Sequence, residues 1–123
     1  MTAATAFLLC AILSGIWCVV HVFVGERDIA RPLRLDRTLD PVVRETAFLC
    51  WHMVSVALAL MSGFFVAAIF GSSDFARAGV LLAMGFAITG LILPRTIGAP
   101  YARLPQGFLF IPVVALGLWG IWM

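Results

Sequence analysis

Gly25-Glu26-Arg27-Asp28-Ile29-Ala30-Arg31-Pro32-Leu33-Arg34-Leu35-Asp36-Arg37-Thr38-Leu39-Asp40-Pro41-Val42-Val43-Arg44-Glu45 is the stretch whose reading decides the fold. It holds five of the eight Arg and five of the six acidic residues of a 123-residue chain that has no Lys. N-terminal to it there is no charged side chain, and C-terminal to it only Asp74, Arg77, Arg95 and Arg103. The apolar runs between these charges are long enough to cross a bilayer, which takes about 20 residues at a rise of ~1.5 Å each.

Composition agrees. Hydrophobic residues make up 63% of the chain and the mean hydropathy is +1.11. Soluble domains use about 45–50% apolar residues, and a chain this short leaves too much of itself at the boundary to hide more. Lipid accepts the excess. Charges of both signs mix through 26–45, which argues against a polybasic lipid clamp and against a nucleic-acid face.

The expected architecture is all-α: one transmembrane domain over residues 1–123, an integral membrane four-helix bundle with antiparallel up-down connectivity. The spans are read at about 3–24, 46–70, 75–93 and 106–123, with a surface loop at 25–45. Gly25 is expected to cap the first helix, and Asp40-Pro41 is N-cap and first-turn chemistry for the second. Gly71 to Asp74 predict a tight hairpin. Pro94, Pro100 and Pro105 with Gly98 predict an irregular loop over 94–105. No basic residues precede the first apolar run, so it is read as a retained helix and not as a signal peptide.

Orientation follows from Arg placement. The first and third loops carry seven of the eight Arg, so both are expected on the cytoplasmic side and both termini on the outer side. The form resembles small four-span inner-membrane proteins of bacteria, a likeness of class that transfers no residue roles. It implies a bacterial inner-membrane location.

Small residues mark expected helix contacts, because helices in lipid associate through close packing. Cys10, Ser14, Cys18 and His21 share one face of the first span; His52, Ser55, Ala59 and Gly63 share one face of the second. Set antiparallel, they predict His21 opposite His52, Cys18 opposite Ser55, Ser14 opposite Ala59 and Cys10 opposite Gly63. A third small-residue face runs Ala76, Gly79, Ala83, Ala87, Gly90, and Gly117 and Gly120 supply a weaker one.

His21 and His52 are the candidate site. Polar side chains at membrane depth are costly and mark function by default. Together they suit axial ligation of a b-type haem, or hydrogen bonds to a quinone head group. Arg27, Arg95 and Arg103 are the candidate anion contacts, for haem propionates or another acidic group. The plainer alternative is that both imidazoles only hydrogen-bond locally. Glu26 or Asp28 are candidates to orient His21, although charges there also simply solvate a helix end. A zinc site is not expected, since Cys18, His21 and His52 stop at three ligands without motif spacing. No Gly-x-Ser-x-Gly elbow, P-loop or Gly-x-Gly-x-x-Gly occurs, so an enzyme is not the preferred reading.

The preferred function is an accessory, assembly or scaffold component of a membrane complex, with lipid, other copies of the chain or a larger complex as partners and no nucleic acid. The first alternative is a haem- or quinone-binding protein using His21 and His52. The second is a small dimeric transporter.

Overall fold

A computed structural model describes residues 1–123. It is helical throughout and has no strands. Helix α1 (Ala3–Val20) continues without a break into a π-helical segment (His21–Ala30) and then into α2 (Arg31–Leu35). Helix α3 spans Pro41–Ile69, α4 spans Ser73–Thr96 and α5 spans Gln106–Trp122. Three helices are long and apolar enough to cross a membrane: Ala3–Leu35, Pro41–Ile69 and Ser73–Thr96. Helix α5 is apolar but has 17 residues, about 26 Å of rise against a hydrocarbon core of ~30 Å.

The start and stop signals act locally. Thr2 Oγ1 accepts from the Thr5 amide and caps α1. Asp40 accepts from the Val42 amide at 2.8 Å, with Pro41 at the first helical position of α3. Between α3 and α4 the chain reverses through Gly71, at φ +95°, a conformation that suits a residue without Cβ.

Two boundaries differ from the expectation. Gly25 does not end the first helix. The helical run continues to Leu35, so of the expected 25–45 loop only residues 36–40 are non-helical. Charge at the end of an apolar helix signals solvent, and charged side chains reach solvent without breaking the backbone. Helix α4 likewise runs through Pro94 to Thr96. Proline there removes one hydrogen bond near the helix end, where few remain to be lost.

Rings seated on small residues hold the helices together. Phe65 is fully buried, and its ring occupies the space that a Cβ on Gly79 would enter, while Val80 stands against Gly117. Phe7 covers Gly120 in the same way. Where α4 meets α5, Gly90 and Gly107 bring backbone against backbone: a Cβ on Gly107 would lie 2.4 Å from the Gly90 carbonyl carbon. Ala76, Gly79, Ala83 and Ala87 are all buried on α4.

The α1–α3 contact keeps the predicted register, with Cys18 beside Ser55 and Ala11 beside Ser62, but turns different faces inward further along. Cys18 Sγ does reach the Ser55 carbonyl, at 3.7 Å. Further along, Ser62 Oγ donates to the Ala11 carbonyl at 2.9 Å, so α3 presents Ser62 and not Gly63. Cys10 turns to α5 and reaches the Val113 carbonyl at 3.4 Å, and Ser14 bonds within its own helix, to the Cys10 carbonyl at 2.6 Å. Gly63 is exposed with nothing near its Cβ position. A face that must serve two neighbours splits between them, which pairwise matching of two stripes does not foresee.

The outward surface is apolar. Leu81 is 67% exposed, Met53 62% and Val56 58%, all well inside their helices. Water would penalise this surface at roughly 25 cal/mol per Å²; lipid does not.

Candidate functional site

The packing is uneven along the helices. Phe65 packs against Gly79, and Phe7 against Gly120, at one level of the helices. Elsewhere the packing opens into a cavity of about 480 Å³. Its walls are Trp17, His21, Gly25 and Asp28 from the first helical run, Trp51, Val54 and Leu58 from α3, Phe86 from α4, and Gln106, Leu109 and Phe110 from α5. The Phe86 and Phe110 rings stack at 5.0 Å on one wall. This size, with apolar walls and few polar groups, is typical of a small-molecule site.

The local backbone explains how His21 reaches it. His21 opens the π-helical segment, in which the Arg31 amide bonds to the Glu26 carbonyl, five residues back. Such segments re-aim side chains by widening the turn, and they recur at functional sites. Gly25 follows one turn later. Its Cα carries no side chain because Trp51 occupies the place: a Cβ would sit 2.6 Å from the Trp51 ring. The ring lies flat on His21, centroids 4.0 Å apart and planes 14° from parallel.

His21 Nε2 lies 3.2 Å from the Trp51 carbonyl oxygen. A carbonyl only accepts, so Nε2 carries the proton and Nδ1 of the neutral ring is left as an acceptor. The Trp51 carbonyl also accepts from Ser55 Oγ at 3.3 Å. The orienting group is therefore a backbone carbonyl, and neither Glu26 nor Asp28 bonds to the imidazole. The indole N–H groups of Trp17 and Trp51 are buried and have no hydrogen-bond partner. An unsatisfied donor costs on the order of 1–3 kcal/mol, and such groups are rare enough in folded proteins to need a reason.

The residues singled out in the sequence fall in different places. His52 is exposed. It packs edge-on against Phe48 at 4.6 Å, and the Arg34 guanidinium lies 5.4 Å from the centre of that same ring. His52 does not line the cavity, and no hydrogen bond or ring contact joins it to His21. Arg27 pairs with Asp28 through two bonds of 2.6 and 3.2 Å. Arg95 sits over Tyr101, 5.7 Å from the ring centre, and Tyr101 donates to the Leu91 carbonyl at 2.6 Å. Arg103 is exposed on the 97–105 loop. None of the three Arg lines the cavity.

Trp51, Phe86, Gln106 and Phe110 are among the wall residues that sequence reasoning did not assign to a site. No known protein family, no curated protein and no solved structure matches this chain.

Proposed function

We propose that this chain is a polytopic membrane protein that binds a small, largely apolar molecule in the cavity beside His21. One observation carries the reading: an apolar cavity of about 480 Å³ meets a histidine whose Nε2 is already committed to the Trp51 carbonyl. The protein crosses a bacterial inner membrane four times as an up-and-down bundle. Its Arg-rich connections face the cytoplasm and its termini face outward. The Arg distribution and the apolar outer surface support this placement.

Binding through His21 alone is the version of the ligand reading that the geometry favours. Bis-histidine ligation of haem needs His52 at the same ligand, and His52 packs on Phe48 outside the cavity. Quinone-like molecules, with a ring and an apolar tail, match the cavity's chemistry better.

The test is extraction and mass spectrometry of the protein purified from membranes in mild detergent. Wild type is expected to carry a small molecule that Val54→Trp, which fills the cavity, does not. Identical extracts from the two proteins would overturn the reading.

A second reading, an accessory or scaffold subunit in a larger membrane complex or homo-oligomer, is favoured by a specific feature of α3. Ala59 and Gly63, expected to pack on α1, face outward instead. Small residues on a lipid-facing helix permit close approach by another helix. Gly63→Leu should then lower the size of the species on native gels; an unchanged size removes this reading.

A further inference from the structure

We infer that the occupant of this cavity presents a hydrogen-bond-donating hydroxyl on an apolar ring, a phenol- or hydroquinone-type head, and that His21 Nδ1, the Asp28 carboxylate and the Gln106 amide oxygen receive it. The inference rests on the small-molecule reading of the cavity and narrows it to one head-group chemistry.

The argument is an inventory of what the wall offers. The His21–Trp51 bond leaves Nδ1 as the ring's unpartnered nitrogen, and in the neutral ring that nitrogen accepts. Asp28 is the one charged residue on the wall. Its carboxylate has two oxygens and about four lone-pair sites, of which the Arg27 bonds take two. Gln106 contributes an oxygen as well as a donor. None of the eight Arg lines the cavity, so an anionic head has no counter-charge there. The two indole N–H donors are sealed inside the wall and do not face the space. Acceptors therefore outnumber accessible donors. A carbonyl-only head would leave His21 Nδ1 unmatched, whereas a hydroxyl satisfies it. The rest of the lining is ring and aliphatic surface, with Trp51, Phe86 and Phe110 supplying the flat faces that a planar ring stacks on.

The experiment uses full-length protein in phosphatidylcholine nanodiscs at pH 7. Three probes share one ring and differ in the head: 2-naphthol donates, 2-methoxynaphthalene only accepts, and 2-naphthoate is an anion. Binding is measured by calorimetry with empty nanodiscs subtracted. The naphthol should bind at least about tenfold more tightly than its methyl ether, the range expected for one hydrogen bond to a charged or strongly basic acceptor. Asp28→Asn and His21→Phe should each shrink that ratio. Asp28 is largely exposed, so its variant keeps the test informative even where His21→Phe disturbs the fold. Equal affinity for naphthol and ether, both abolished by Val54→Trp, overturns the donor assignment and leaves the cavity reading standing. Preference for the naphthoate overturns it too. Failure of all three probes, or binding indifferent to Val54→Trp, overturns the cavity reading and this inference together.

Discussion

Gly25 and His52 show how little a residue's type says about its task until its neighbours are known. Glycine near a helix boundary reads as a stop, yet Gly25 lies inside a helical run because the Trp51 ring needs the room. Gly25→Ala should push the ring off His21, lower stability by about 1–3 kcal/mol as overpacking does, and change the near-ultraviolet circular dichroism of Trp51. An unaltered aromatic spectrum would show that the ring does not rest on Gly25. Histidine in an apolar run reads as a ligand, yet His52 has only the Phe48 edge. His52→Ala should therefore leave ligand retention unchanged while His21→Ala abolishes it; equal losses would place both imidazoles on one ligand. The distinction was not legible in the sequence, where the two residues have the same type and matching depth. It depends on which side of α3 turns inward, and that is decided by Trp51, whose carbonyl and ring both engage His21.

Elements were easier to read than contacts. The Asp40-Pro41 start, the Gly71 turn and the start of α5 at Gln106 follow from capping and turn chemistry within a few residues, so a linear reading reaches them. Helix ends marked by charge were misplaced, because solvation and termination are separate events. In the short 36–40 turn Asp36 accepts from the Thr38 amide at 2.8 Å and the Thr38 hydroxyl at 2.6 Å. Those two bonds, with Arg44 nearby, hold its carboxyl below the usual aspartate range. The sign follows: the turn is supported above the ordinary carboxylate pKa of about 3.9 and loses that support as pH falls through the lowered folded value. The Thr38 amide resonance in detergent should shift with that acidic titration and be pH-independent in Asp36→Asn; a midpoint at the ordinary value would contradict the bonding. Among the glycines, Gly107 touches the Gly90 backbone, which has no flexible end to move aside. Gly107→Ala should cost about 1–3 kcal/mol, whereas Gly63→Ala, in open space, should be neutral or stabilise by up to about 1 kcal/mol. Thermal unfolding in detergent measures both, and equal effects would refute the α4–α5 backbone contact.

For the whole molecule, the decisive prediction concerns which faces of α1 and α3 meet. Ser55→Cys should cross-link to native Cys18 under mild oxidation, since the Cys18 sulfur already lies 3.7 Å from the Ser55 carbonyl. Gly63→Cys should not cross-link to Cys10, which faces α5; efficient trapping there would restore the Cys10–Gly63 facing expected from the stripes. Sequence by itself determined that the chain is helical and suited to lipid, roughly where its helices begin, and which small residues permit close approach, because hydropathy, charge and capping act over one or two turns. Only the tertiary structure decided which of those small residues meet, that His21 and His52 part company, and that His21 shares a cavity with Trp51, Phe86 and Phe110. Those outcomes depend on three or four helices competing for the same faces, and the volume left between them is a property of no single helix.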